Sequence, residues 1–257
     1  MRPIRLAVTA ALAVLVFAAP TMAISFGHLD GSAHPNVGAM LVPDQNGHPD
    51  LWCTGTLVSP TVFVTASHCT IDLTVAGRTH DVYVSFDPVV GDAPTMYRGT
   101  AHTNPAYRSN VESDPHDVGV IVLDEPIDWI TPAQLPTANL LDSLDLKSQR
   151  FTTVGYGDAR DDKTKAGASI YFDGARRATD QGFRSLTKAW LNLSMNPSVG
   201  SGGTCYGDSG GPHFVGSSDV IAAVTVTGDA WCRATDVDYR LDTPASRSFL
   251  AQFVTLP

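Results

Sequence analysis

His116-Asp117-Val118-Gly119-Val120-Ile121-Val122-Leu123 sets two polar residues directly before a six-residue apolar run. The run is short and rich in β-branched residues, and a Pro- and Asp-rich stretch follows it from Asp124, so it reads as a buried strand. Asp117 stands at the head of that strand and is drawn inward with it, whereas most other acids of the chain lie in hydrophilic segments.

Similar runs recur on both sides. Gly38 to Val42, Trp52 to Val58, Val62 to Ala66, Val82 to Phe86, Arg150 to Gly155, Ala189 to Leu193, His213 to Val215 and Val220 to Thr227 alternate with Gly, Pro, Asp and Asn clusters. Helical periodicity is weak throughout, and the chain is predicted to be all-β. Ser59-Pro60 turns one strand onto the next. One helix is expected near the C-terminus, where Thr243 caps a segment opened by Pro244, with Phe249, Leu250 and Phe253 on one face. The stretch 124–145 reads as a linker, dividing the chain into an N-terminal half (24–135) and a C-terminal half (136–257).

At the N-terminus, Arg2 and Arg5 precede an apolar run from Leu6 to Ala19, closed by Thr21-Met22-Ala23. This predicts a secretory signal peptide over 1–23, too short to stay in a bilayer as a helix. Its removal takes the net charge from −9 to −11. An acidic mature chain argues against nucleic acid or anionic membrane as partners. With an exported chain in view, the four cysteines point to two disulfides, and spacing favours Cys53 with Cys69 and Cys205 with Cys232. A zinc site finds no CxxC pair and no nearby histidine pair. The charged run 158–165 reads as a solvated loop, and Asn192-Leu193-Ser194 is a glycosylation sequon on a strand.

The strongest chemical signal is Gly207-Asp208-Ser209-Gly210-Gly211-Pro212. Glycines flanking a serine permit close backbone approach, and N–H groups in such a turn stabilise an oxyanion by about 3 kcal/mol per donor. Gly207 and Ser209 are the expected donors. A serine hydroxyl needs a base, and a histidine suits that task near neutral pH. His68, in Thr65-Ala66-Ser67-His68-Cys69, ends a buried strand beside a cysteine that pins its loop; the other histidines, His213 included, are expected at the surface. Asp117 is the acceptor expected to fix the histidine tautomer.

These three motifs, in the order His, Asp, Ser and spaced 49 and 92 residues apart, resemble the chymotrypsin and trypsin family. The resemblance implies two six-stranded antiparallel β-barrels with the triad His68, Asp117 and Ser209 in the cleft between them. It implies a serine endopeptidase acting on polypeptides through an acyl-enzyme, with no metal or organic cofactor, open to protein protease inhibitors and monomeric by default. It also implies that Ile24, freed by signal removal, pairs its amino group with Asp208. The specificity pocket falls to Gly203, Thr204, Gly228 and Val237. An aspartate is absent at Gly203, so a neutral or apolar cleaved side chain is expected, although Asp236 or Asp238 offers a carboxylate from another wall. The chain departs from the family at Val226-Thr227-Gly228, where a serine usually stands in place of Val226 and bonds the triad aspartate. A silent homologue acting as an extracellular binding module is the competing reading.

Overall fold

A computed structural model describes residues 24–160, 162 and 170–257. The expected signal peptide and half of the charged run 158–165 lie outside these residues; in the described part Ala159 and Arg160 are buried and pair with Ile170–Tyr171, so that part is not the solvated loop expected. Six strands, β1 (Val37–Pro43), β2 (Pro49–Ser59), β3 (Val62–Thr65), β4 (Val82–Ser85), β5 (Tyr97–Thr103) and β6 (Gly119–Leu123), close an antiparallel barrel in the order β1-β2-β3-β6-β5-β4. A second antiparallel barrel follows from β7 (Arg150–Gly155), β8 (Arg177–Leu186), β9 (Trp190–Ser194), β10 (Pro212–Val215), β11 (Ile221–Gly228) and β12 (Thr235–Arg240). Its order is β7-β8-β9-β12-β11-β10, and the β7–β10 pairing closes it.

Three of these strands were not expected from the sequence: β5, β8 and β12. β5 buries only Gly99 and Ala101, and the inward positions of β8 and β12 carry polar or charged side chains. Arg177, Thr179 and Gln181 are buried on β8, and Asp236, Asp238 and Arg240 on β12, so the apolar alternation that marks a half-buried strand is missing. Helix α1 (Ser67–Val75) was also unexpected. Its first residues complete the histidine motif, and no side chain caps it; the Cys53–Cys69 disulfide ties it to β2 instead. The Cys205–Cys232 bridge is the second disulfide.

The stretch read as a linker is packed. Ile127, Ile130, Ala133, Leu135 and Leu141 are buried along it, and it contains the short helix α2 (Leu140–Ser143). The expected C-terminal helix is α3 (Pro244–Leu250), with the Thr243 hydroxyl accepting from the Ser246 N–H. Phe249 and Leu250 join a cluster that includes Val58 and Val120 of the first barrel and Val154 and Val224 of the second. One apolar core thus spans both barrels. Asn192 sits within β9, flanked by residues of β8 and β12, as an ordinary strand residue.

A buried ionic junction also joins the halves. The Arg176 guanidinium donates to Asp30 (2.9 Å), to the carbonyls of Gly31, Val37 and Phe86, and to the Tyr156 hydroxyl (3.0 Å). The segment before β1 runs along the second barrel, where His28–Leu29 pairs with Arg177 and Ala178.

Candidate active site

Strand pairing brings His68 and Asp117 together. Thr65 at the end of β3 pairs with Gly119 at the start of β6, so residues just beyond both ends meet at the barrel rim. The Ser67 hydroxyl donates to the Val118 carbonyl (2.7 Å) and accepts from the Asn104 N–H (3.0 Å), fixing the first turn of α1. His116 takes a left-handed φ of 57°, a conformation open to histidine at modest cost, and the turn there aims Asp117 inward. Asp117 is buried and accepts from both the His68 N–H (2.8 Å) and His68 Nδ1 (2.8 Å). An ionised carboxylate only accepts, so the bond sets Nδ1 as the donor.

Ser209 comes from the second barrel and is held by the first. Thr54 on β2 donates its N–H to the Ser209 carbonyl (2.9 Å) and its hydroxyl to the Gly207 carbonyl (3.0 Å). Gly210 has φ +78°, and a Cβ there would lie 2.1 Å from Thr65 Oγ1 and 2.7 Å from the Ala66 N. Only glycine allows the serine loop to close this tightly on the histidine strand. Among the described residues, neither the Gly207 nor the Ser209 N–H has a protein acceptor. The Ser209 hydroxyl and the His68 ring line neighbouring cavities, with no hydrogen bond between them. Val226 and Thr227 line both the cavity holding Ser209 and the one holding His68 and Asp117.

Asp208 is fully buried. Its carboxylate accepts from the Gly157 N–H (2.8 Å) and the Cys205 N–H (2.8 Å). Burial pushes its pKa up to about 7 against those two donors. Ile24 is also buried, with φ 44°, and the next residue, Ser25, bridges to Gly203. Among the described residues no cation pairs with Asp208.

The expected pocket residues part company. Thr204 and Gly228 line the Ser209 cavity, of about 220 Å³. Gly203 lies behind its wall, where a Cβ would strike Met195 at 2.1 Å. Val237 opens onto the neighbouring cavity beside His68, Tyr107 and Trp190. Strict strand alternation fails at Val226: a register shift between Thr225 and Thr227 puts all three residues on one cavity wall. His213, expected at the surface, is fully buried. Its Nε2 lies 3.0 Å from Thr225 Oγ1 and 2.8 Å from Asp238 Oδ1. The short stretch His213-Phe214-Val215 gave no sign that a barrel would close over its first residue.

The family model for trypsin matches residues 31–246. The chain belongs to the trypsin family, whose members are serine proteases. A curated trypsin from Saccharopolyspora erythraea is 28% identical over 214 residues, covering 78% of this chain and 84% of that protein. Among solved structures, HL collagenase aligns at a TM-score of 0.66 with 17% identity, over 89% of this chain and 97% of its own. Neuropsin, a serine protease expressed in the limbic system of mouse brain, aligns at 0.66 with 19% identity, over 89% and 99%. At those identities the two structures speak for the fold.

Proposed function

We propose that the chain is a secreted serine endopeptidase in which Ser209 attacks the scissile carbonyl, His68 Nε2 takes and returns the proton, and Asp117 holds the imidazole. The observation that carries this reading is the double hydrogen bond from His68 to Asp117, facing a glycine-flanked serine across the cleft. The unengaged Gly207 and Ser209 N–H groups support an oxyanion site. The missing Ser209–His68 bond is the looseness common before a substrate is bound.

On this reading the freed Ile24 amino group serves as the counter-ion of Asp208. The buried, unpaired carboxylate and the Ser25–Gly203 bridge support it. Two disulfides are in keeping with export, and among the described residues no helix is long and apolar enough to cross a membrane. The enzyme acts as a monomer on polypeptides and is open to protein inhibitors that occupy the same cleft.

The test uses purified mature protein, a mixed-sequence peptide library, and a fluorophosphonate that labels activated serines. Internal peptide cleavage with the label mapped to Ser209 is the expected result. Folded protein with Ile24 at its N-terminus that takes no label overturns the reading in favour of a silent binding homologue.

Val226 tempers the activity. Asp117 accepts only from His68 among the described residues, and Val226 lines the same cavity without a donor. Val226→Ser is expected to raise kcat/KM roughly 5-fold, the worth of one hydrogen bond of about 1 kcal/mol. Steady-state kinetics on a single peptide checks this.

A further inference from the structure

The segment that delivers Asp117 is irregular. Residues 104–118, between β5 and β6, form neither strand nor helix, so no ladder fixes the backbone that aims this carboxylate. Its own bonds are short-range: the Arg108 N–H donates to the Pro115 carbonyl (3.0 Å) and the Val118 N–H to the His116 carbonyl (3.0 Å).

Two donors on the second barrel reach this segment. Trp190 Nε1 donates to the Glu112 carbonyl (2.7 Å), and the Tyr239 hydroxyl donates to Asp114 Oδ1 (2.7 Å). The donors form one unit, because Trp190 on β9 and Tyr239 on β12 are directly paired and their rings meet edge to face at 5.8 Å. Tyr239 is wholly buried. Burial, and then the bond to Asp114, pushes its hydroxyl well above the ordinary 10, so it stays a donor through the neutral range. Asp114 Oδ1 also accepts from the His116 N–H (3.3 Å). One oxygen thus joins a hydroxyl of the second barrel to the left-handed residue directly before Asp117.

Asp117 has little else to hold it. Among the described residues it accepts only from His68, and Val226 offers it no donor from the facing wall. Its placement falls on its own backbone, and through His116 and Asp114 on Tyr239.

We infer that Tyr239 is a positioning residue: its bond to Asp114 locks the turn at His116 and so holds Asp117 against His68 from the second barrel. This rests on the peptidase reading. Tyr239 touches no reacting atom; it acts on the geometry of the base, where a misplacement of about 1 Å can cost on the order of 100-fold in rate. The acid of the proposed triad is thereby set by the docking of one barrel on the other.

Tyr239→Phe removes the hydroxyl and keeps the ring against Trp190. In steady-state kinetics on one peptide, kcat is expected to fall about 10-fold with KM changed by less than about 2-fold, the mark of an interaction that matters only in the transition state. Asp114→Ala is expected to match it, the double variant to cost no more than either alone, and Asp114→Asn, which keeps an acceptor oxygen for the hydroxyl, to recover most of the rate. A readout independent of turnover is the His68 Nδ1–H proton in nitrogen-15-labelled protein. Its NMR signal is expected to move upfield and to exchange faster with water in Tyr239→Phe and Asp114→Ala, as the bond to Asp117 loosens. An unmoved His68 signal overturns the inference whether or not kcat or Tm falls, and so does an unchanged kcat in fluorophosphonate-labelled enzyme. Wild-type protein that takes no label overturns the peptidase reading instead, and the His68 signal then decides alone whether Tyr239 holds the pair. Should Tyr239→Phe fail to fold, the variants of the partly exposed Asp114 carry the test.

Discussion

Replacing Ser209 by alanine is expected to lower kcat for peptide hydrolysis by a factor of about 10⁶, with the residual rate set by the oxyanion donors and by binding. The substitution removes one oxygen and leaves the backbone alone. The Ser209 carbonyl still accepts from Thr54, and the Gly210 N–H still donates to the Thr225 carbonyl, so the serine loop stays closed on the first barrel. Stability should change by no more than about 0.5 kcal/mol, as for a substitution that opens no cavity. His68→Ala is expected to cost a similar factor and the double variant no more than either alone, since nucleophile and base act as one unit. Single-turnover kinetics on intact peptides measures all three. A Ser209→Ala loss of less than about 100-fold would place the nucleophile elsewhere, because activation by a base alone accounts for that much.

Arg176→Met is the second large effect, on stability. The substitution keeps a long side chain but removes the guanidinium that donates to Asp30, Gly31, Val37, Phe86 and Tyr156, leaving Asp30 only its bonds from His34. Breaking a buried ion pair costs about 3–5 kcal/mol, which for a chain of this size lowers Tm on the order of 10 °C. Differential scanning calorimetry reads the loss, and Asp30→Asn in the same background is expected to restore part of it by removing the stranded charge. The junction also predicts acid sensitivity. Burial pushes the Asp30 carboxyl up, but hydrogen bonds from His34 and Arg176 outweigh this and hold it at about 2, below its ordinary 3.8. A depressed carboxyl stabilises the fold above its unfolded pKa, and that contribution, about 2 kcal/mol, fades as pH falls from roughly 4 towards 2. In Arg176→Met that part of the acid transition should shrink.

The proposed triad was legible because its motifs are local. A glycine-flanked serine, a histidine beside a cysteine and an aspartate heading an apolar strand each carry their meaning within a few residues. The strands that read clearly were those whose inward side chains are apolar, such as Val120 and Phe63. β8 and β12 did not read as strands because their inward faces hold Gln181, Asp236 and Asp238, whose partners arrive from residues up to 55 positions away. The same concealment hid His213. A pairing such as His213 with Asp238 exists only once the barrel closes, so nothing near either residue announces it. Nor does anything near Gly203 announce that Met195, from beyond β9, fills the space beside that glycine.

The seat of the last helix has a consequence for how the molecule is made. α3 belongs to the end of the chain, yet Phe249 and Leu250 share a core cluster with Val58 of the first barrel, Phe253 lies 5.1 Å from the His102 ring, and Val254 and Leu256 line a cavity with Val58 and Leu135. Polypeptides emerge from synthesis N-terminus first, and early segments fold as units when they can. Here the first barrel keeps an apolar flank uncovered until α3, which follows every strand of both barrels, has arrived. Completion of the cleft is thereby deferred until α3 is made, and a product truncated before it leaves its histidine half without the clamp that α3 provides.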